Sequence, residues 1–169
     1  MKKLSLILFS ALLFFLINIS ITFSANTTEY ITGEAQVIDG DSIKIKGVSI
    51  RLSGIDAPEK KQVCFYKDQP YYCGTISLKI LKNYIKNKLI TCSYSNKDKY
   101  GRILGTCYFY NNQKDLFSLN KYMVLTGNAV AYKRYSKEYL DDEEWARKNS
   151  LGIWQGKFIR PEEWRRKNK

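Results

Sequence analysis

Residues 34–54 read EAQVIDGDSIKIKGVSIRLSG, and this stretch decides the fold. Apolar and polar side chains alternate within its short runs, which are separated by the Asp-Gly-Asp turn at 39–41 and by Gly47. Runs of about five alternating residues joined by glycine-containing turns are typical of an antiparallel meander. The stretch therefore predicts three consecutive β-strands.

The rest of the chain adds helices and two more strands to this meander. Residues 75–90 place apolar side chains at helical spacing with lysines between them, which predicts an α-helix. Further strands are predicted at 89–94 and 102–110, and further helices at 116–126 and 137–149, each of which a glycine follows. This order indicates an α+β fold that is mainly β: a five-stranded barrel of the oligonucleotide-binding (OB) type with about three helices.

The first residues have the composition of an export signal. A positive start is followed by an apolar stretch at 4–23 and by small residues up to Ser24. This pattern predicts a signal peptide at 1–24 and a periplasmic or secreted protein. The apolar stretch is close to the ~20 residues that span a bilayer, so an uncleaved membrane anchor at 4–23 is the alternative. The remainder divides into a barrel domain at 30–158 and a basic C-terminal tail at 159–169.

The composition restricts the chemistry that the chain can perform. The formal net charge is +12, and the sequence contains no histidine. Such a positive excess favours a polyanionic partner such as nucleic acid, anionic lipid or acidic polysaccharide, although solubility alone is the simpler interpretation. Without histidine there is no Ser-His-Asp or Cys-His nucleophile, no histidine-ligated zinc and no imidazole base. Catalysis would have to use carboxylates, Arg, Lys, Tyr or a hard metal ion.

The four cysteines all follow the predicted signal peptide. An even number of cysteines in an oxidising compartment favours two disulfides. Three pairings are possible, and we favour Cys64–Cys73, which closes a short loop, and Cys92–Cys107, which lie on neighbouring predicted strands. For the second pair, two buried free thiols are the alternative. A zinc site is disfavoured because the spacings are not of the short CxxC type.

Three polar clusters lie at predicted turns or strand ends. They are DGDS at 39–42, RLSGIDAPE at 51–59 and DKYGR at 98–102. The Asp-Gly-Asp alone is more often a solvated hairpin turn than a metal site, and each cluster alone is a weak indication of function. Together they supply carboxylates that can hold a calcium ion, arginines that can clamp a phosphate and a further carboxylate that can activate water. This combination indicates hydrolysis of phosphodiester bonds.

The three clusters, in this order and at this spacing, resemble the signature blocks of the staphylococcal (micrococcal) nuclease, or thermonuclease, family. The resemblance extends to 127–132 and 151–154 and covers nearly all of the chain after residue 30. It implies an OB barrel with three helices and an exported, Ca²⁺-dependent endo- and exonuclease that cleaves DNA and RNA and leaves 3′-phosphate ends. We expect the nuclease domain to act as a monomer without an obligate protein partner.

The resemblance also implies which residues form the metal site. Asp41 and Asp56 would bind calcium through their carboxylates, and Ala57 would bind it through its backbone carbonyl. Alanine replaces the threonine of the family's type member here, and a carbonyl ligand does not depend on the side chain. Glu59 would hold or activate the attacking water beside the metal.

Five further residues would hold the substrate by the same resemblance. Arg51 and Arg102 would grip the scissile phosphate. Lys99 and Tyr100 would contact a neighbouring terminal phosphate, and Tyr132 would stack near a base. The loop that contains the first two cysteines is unlike the type member, so the preference between DNA and RNA stays open.

Two interpretations compete with the nuclease. The first is an OB module that binds nucleic acid or another polyanion without cutting it, since OB barrels do this widely. Binding alone would not require the complete set of catalytic residues, and all of its members are present. The second is a membrane-anchored structural protein, which would explain the export signal and none of the polar clusters. The sequence therefore favours the nuclease.

Overall fold

The computed structural model describes residues 27–168. The predicted signal peptide at 1–24, and with it the alternative anchor at 4–23, lies outside the described residues. Among residues 27–168, no helix combines the length and the apolar character that a membrane crossing requires.

Short strands and helices alternate along the described chain. The strands are β1 Glu29–Asp39, β2 Ser42–Ile45, β3 Val48–Leu52, β4 Ile55–Asp56, β5 Val63–Tyr66, β6 Gln69–Tyr72, β7 Leu89–Lys97, β8 Ile103–Tyr110, β9 Leu116–Ser118 and β10 Val130–Ala131. The α-helices are α1 Cys73–Tyr84, α2 Leu119–Leu125, α3 Leu140–Lys148 and α4 Pro161–Lys167, and a 3₁₀ turn covers Gly152–Gln155.

Five of these strands close into a barrel. β1 pairs antiparallel with β2 and with β7, β2 pairs with β3, and β7 pairs with β8. A parallel pairing of β3 with β8, in which Arg51 lies opposite Leu104, completes the ring. The predicted mixed fold built on an OB-type barrel is therefore confirmed, and β9 adds one strand beside β8.

The alternation in the sequence fills the interior of the barrel. Ile43, Ile45, Ile50 and Leu52 are fully buried, whereas the residues between Ile43 and Ile45 and between Ile50 and Leu52 are only partly buried. Each fully buried aliphatic side chain stabilises the fold by about 1.5–3 kcal/mol relative to an exposed one. Leu81 of α1 packs into the same core, so this helix is fixed against the barrel.

Two helices are shorter than the sequence predicts. α1 ends at Tyr84 rather than at residue 90, because Asn87 adopts a left-handed backbone with a φ of 58° and Leu89 begins β7. Asparagine enters this backbone region more readily than most residues. The helix predicted at 137–149 covers only Leu140–Lys148.

The prediction of a helix over 116–126 is wrong in its first turn. Leu116–Ser118 forms a strand, with Phe117 opposite Phe109 of β8. Pairing with β8 decides this conformation, and local periodicity does not report such pairing. Ser118 then caps α2 by accepting a hydrogen bond from the Lys121 backbone N–H at 3.2 Å.

Both disulfides have the pairing that the sequence favours. Cys92 and Cys107 lie directly opposite each other on β7 and β8 and are bonded. Cys64 is bonded to Cys73 and joins β5 to the start of α1. The β5–β6 hairpin itself was not predicted, because its aromatic residues are largely exposed and show no alternation of burial.

Candidate active site

Arg51 bridges two buried carboxylates. Its Nη1 donates to Asp41 Oδ1 at 2.9 Å, and its Nη2 donates to Asp56 Oδ1 at 2.8 Å. The β2–β3 register makes this possible, because it sets Arg51 opposite Ser42, the residue after Asp41. Asp56 ends β4, which pairs with β10. The barrel therefore brings the first two polar clusters of the sequence into one site.

Asp41 and Asp56 are only 3% and 1% exposed, respectively. Burying a carboxylate is costly unless it is paired and hydrogen-bonded. Besides Arg51, Asp41 accepts hydrogen bonds from the Ser42 hydroxyl at 3.1 Å and from the Ala57 backbone N–H at 3.0 Å. These bonds fix the Asp41 carboxylate beside the Ala57 backbone.

The start of α1 constrains the two loops that carry these acids. A Cβ at Gly40 would collide with the Ser77 hydroxyl, and a Cβ at Gly74 would collide with the Glu59 carbonyl oxygen. Only glycine allows these close approaches. The Asp-Gly-Asp turn and the Glu59 loop are therefore both packed against the helix.

A second arginine enters the site from the C-terminal tail. Arg165 of α4 donates from Nη1 to Asp56 Oδ1 and to Glu59 Oε1, both at 2.9 Å. Its Nη2 donates to Asp56 Oδ2 at 3.0 Å. Both oxygens of Asp56 are thus engaged by Arg165, and Oδ1 also accepts the bond from Arg51.

The sequence analysis did not identify Arg165 as a site residue. Pro161 followed by two glutamates is a recognisable helix start, so α4 could have been predicted. Which side chain of that helix would reach the barrel depends on docking across the fold. No local pattern in the tail carries that information.

Glu59 lies at the solvent side of the acidic group. Its side chain is 35% exposed, in contrast to the nearly inaccessible Asp56 side chain at 1%. The Glu59 backbone N–H donates to Gln62 Oε1 at 3.2 Å. One carboxylate edge of Glu59 therefore meets Arg165 while the side chain remains accessible to water.

Burial raises the pKa of two carboxylates at the site. Burial, followed by the charge of Asp41, raises the pKa of Asp39 to about 7. Burial also raises the pKa of Asp56, while the guanidinium groups of Arg165 and Arg51 act in the opposite direction. Loss of water around these carboxylates therefore opposes their ionisation, and the arginines compensate part of this cost at Asp56.

The donor set of this site suits a hard cation. Calcium takes six to eight oxygen ligands and accepts carboxylates and backbone carbonyls, which the aspartates, Glu59 and Ala57 can provide. Within residues 27–168, no three acidic or other metal-binding side chains converge as a formed metal site. The two guanidinium groups lie among these carboxylates instead. The residues fit calcium by their chemistry. Arg51 and Arg165 hydrogen-bond to the carboxylate oxygens of the three acids.

The third polar cluster forms a separate turn. Arg102 donates from Nε to Asp98 Oδ2 at 2.8 Å, and Tyr100 is 73% exposed. Burial opposes ionisation of Asp98, but hydrogen bonds from Arg102 and Tyr100 outweigh it and lower its pKa. The Lys99 ammonium lies 5.0 Å from the centre of the Tyr100 ring. None of these residues is hydrogen-bonded to the buried aspartates within the described chain.

The barrel register still directs this turn toward the site. Arg102 precedes Leu104 by two residues, and Leu104 lies opposite Arg51 in the parallel β3–β8 pair. Arg102 lies immediately before β8, so the backbone holds the third cluster beside the end of the strand pair that contains Arg51.

Tyr132 lies next to the bridging arginine. Its backbone N–H donates to the Gly54 carbonyl at 2.8 Å, and Arg51 Cζ is 6.0 Å from the centre of its ring. Tyr135 meets the Tyr132 ring edge-on at 4.7 Å. A cleft of about 230 Å³ begins here, and its lining includes Asp56, Ala131, Tyr132, Arg134, Arg160 and Arg166.

Comparison with known proteins places the chain in a family. Residues 49–156 match the family described as staphylococcal nuclease homologue. The chain belongs to this family. The matched span contains Arg51, Asp56, Glu59 and Arg102 and ends before α4, so the family match does not cover Arg165.

Several relatives resemble this staphylococcal nuclease homologue over most of its length. The succinoglycan biosynthesis protein ExoI of Rhizobium meliloti is 34% identical over 136 residues, which cover 79% of this chain and 69% of that protein. An uncharacterized endonuclease of Haemophilus influenzae is 36% identical over 118 residues, 68% of this chain and 58% of that protein. A micrococcal nuclease of Shigella flexneri is 30% identical over 124 residues, which cover 68% of this chain and 66% of that protein.

Proposed function

We propose that the chain is a Ca²⁺-dependent nuclease that hydrolyses phosphodiester bonds of DNA and RNA, inside and at the ends of strands, and leaves 3′-phosphate ends. The observation that carries the proposal is the arginine-bridged pair of buried aspartates, Asp41 and Asp56, with Glu59 at its accessible edge. Membership of the staphylococcal nuclease family and relatives named as endonucleases support the same activity.

Asp41, Asp56 and the Ala57 carbonyl are the proposed calcium ligands. Their donor type supports this assignment, because calcium prefers carboxylate and carbonyl oxygens. A bound calcium ion would withdraw charge from a phosphate oxygen and lower the pKa of a water molecule beside it.

Glu59 is the proposed base for the attacking water. Its carboxylate would accept the proton while the water oxygen bonds to phosphorus and the bond from phosphorus to the 5′ oxygen breaks. The proton that the leaving oxygen requires comes from solvent, and the phosphate stays on the 3′ oxygen. Partial exposure of Glu59 supports this role, because water must reach the carboxylate.

Arg51 and Arg102 are the proposed phosphate clamp. A guanidinium group carries five N–H donors. Arg51 uses two of its N–H groups on Asp41 and Asp56, so donors remain for a phosphate. The Arg102–Asp98 pair likewise leaves part of its guanidinium free for an anion. Such contacts would stabilise charge that develops on phosphorus oxygens.

The remaining substrate contacts are proposed on exposure and position. Lys99 and the exposed Tyr100 would meet a neighbouring phosphate. Tyr132 would stack on a base, which is worth about 1–3 kcal/mol per base. The net charge of +12 would attract the polyanion from solution.

Two disulfides fit an oxidising compartment. We propose export to the periplasm or the medium through a signal peptide at 1–24, with an anchor at 4–23 as the alternative. We further propose that 30–158 is the nuclease domain, that 159–169 is a basic tail and that the protein works as a monomer.

The test is cleavage of single-stranded DNA, duplex DNA and RNA by the purified protein with its disulfides intact, with Ca²⁺ or with EGTA. We expect cleavage that requires Ca²⁺. The products should resist extension by a polymerase until a phosphatase removes their 3′-phosphates. Salt-sensitive binding of the same substrates without cleavage would instead establish the non-cutting OB module.

A further inference from the structure

The segment that precedes α4 is anchored to the β5–β6 hairpin and to the loop before it. Lys157 and Phe65 exchange two backbone hydrogen bonds, at 2.8 and 2.9 Å. The fully buried Gln62 donates from Nε2 to the Ile159 carbonyl at 2.6 Å. The same Gln62 side chain accepts from the Glu59 backbone N–H. One residue thus ties the tail to the loop that carries the proposed catalytic base.

An ion pair with a buried glutamate fixes the next residue of the tail. Arg160 Nη2 donates to Glu143 Oε2 at 2.9 Å and to the Ala131 carbonyl at 3.1 Å. Glu143 is only 5% exposed and also accepts from the Ala131 backbone N–H at 2.8 Å. Pro161 follows at the first position of α4 and is buried. The orientation of α4 is therefore specified by contacts outside the active site.

With α4 so held, Arg165 fills the space between Asp56 and Glu59. It makes three hydrogen bonds of 2.9–3.0 Å to these two acids. Its side chain is 31% exposed, so it lies between the buried aspartate and solvent. A metal ion that used the oxygens of Asp56 would meet the guanidinium charge at the same place, and like charges repel strongly in a partly buried site.

We propose that Arg165 is a further residue of the active site: a tethered cation that occupies the carboxylates of Asp56 and Glu59 and competes with a divalent ion for them. The inference rests on the proposed calcium-dependent nuclease and adds what sets its metal affinity. Arg165 withdraws from Asp56 when a divalent ion binds, and the end of α4 loosens. The C-terminal tail thereby sets the calcium concentration at which the site is loaded.

The test compares Ca²⁺ binding by calorimetry in the full-length wild type, Arg165→Gln, Arg165→Lys and Lys167→Gln. We expect Arg165→Gln to lower the Kd for Ca²⁺ by about tenfold or more, which corresponds to about 1.4 kcal/mol. Arg165→Lys should lie between wild type and Arg165→Gln, because an ammonium group cannot make the same bidentate contact. Lys167→Gln removes the same charge from α4, and because Lys167 pairs with Glu163 rather than with Asp56 or Glu59, its Kd should stay within about twofold of wild type.

A second measurement uses the wild type alone and does not depend on a variant that folds. Amide hydrogen exchange of residues 162–168 should accelerate when Ca²⁺ is added, whereas that of the barrel strands should not. Equal Ca²⁺ affinity in wild type and Arg165→Gln, with unchanged exchange of α4, would overturn the competition. If cleavage still required Ca²⁺ in that case, the proposed Ca²⁺-dependent nuclease activity would be retained and only the competition would be rejected. Absence of Ca²⁺ binding in every protein would overturn calcium dependence and the competition together.

Discussion

Replacement of Arg51 by alanine should separate its structural role from its role in substrate binding. Arg51 is the only charged group that bonds to Asp41 in the described chain, whereas Asp56 retains Arg165. Removal of one partner from a buried ion pair costs about 3–5 kcal/mol, because a charge is left without compensation. Since one of the two aspartates keeps its partner, we expect Arg51→Ala to lose about 3 kcal/mol of unfolding free energy.

Arg102→Ala is the matched control. Arg102 pairs with Asp98 at 2.8 Å, but their side chains are 31% and 16% exposed. Ion pairs of this partly exposed kind contribute about 0–1 kcal/mol. Both arginines are proposed to hold the phosphate, so both variants should lose most nuclease activity. Only Arg51→Ala should also lose about 3 kcal/mol of unfolding free energy.

Urea denaturation in metal-free buffer, with disulfides intact, measures the two free energies. Turnover of the same preparations is measured at temperatures where each variant is folded. A loss below about 1 kcal/mol in Arg51→Ala, or equal losses in the two variants, would refute the view that Arg51 compensates buried charge. The simpler explanation of so small a loss would then be that the aspartate without its arginine partner takes up a proton and becomes neutral.

Three further predictions concern stability and binding. Burial opposes ionisation of Glu143, but hydrogen bonds from Arg160 and Lys133 outweigh it and hold its pKa below the usual value of a glutamate. The stability that Glu143 contributes is therefore present above its unfolded pKa and is lost as pH falls through its folded pKa. Thermal melts from pH 7 to 3 should show this loss in wild type, and Glu143→Gln should lack this part of it. The Cys92–Cys107 disulfide joins residues that are 15 positions apart in the sequence. The double variant Cys92→Ala/Cys107→Ala should therefore lose about 3 kcal/mol of unfolding free energy, measured by urea denaturation. A loss near zero would contradict the chain-entropy argument. Binding of single-stranded DNA should weaken with a log–log salt slope of about −0.7 per phosphate contacted, and a flat titration would exclude a phosphate-dominated interface.

The strands of the meander could be predicted because their signal is local. The alternation around Ile43 and Ile50 has a period of two residues and is interrupted by glycine turns. The β1–β7 and β3–β8 pairings that close the barrel join distant segments, so closure was predicted from the family resemblance rather than from periodicity. Periodicity did not predict the strand at Leu116–Ser118. Its conformation depends on pairing with Phe109 of β8, and an apolar run of this length also fits the first turn of a helix.

Some residues of the candidate site could be predicted from the sequence, and one could not. Asp41, Arg51 and Asp56 belong to clusters that resemble the signature blocks of the family, so the sequence predicted that they share one site, and the structure joins them through Arg51. Arg165 was not predicted. It reaches Asp56 across 109 residues, by a helix whose orientation depends on the Gln62–Ile159 bond and on the Arg160 ion pair. Docking of that kind leaves no periodic signal in the sequence.

The most direct test of the proposed nuclease compares wild type with Glu59→Gln, using single-stranded DNA in saturating Ca²⁺. Glu59 accepts one hydrogen bond from Arg165 and is 35% exposed, so glutamine should leave the fold intact, as a melting curve would verify. Loss of the general base should lower kcat by about 10²–10⁴ while DNA binding persists. Near-wild-type kcat in folded Glu59→Gln would contradict the assigned mechanism. Absence of cleavage by the wild type itself would contradict the nuclease.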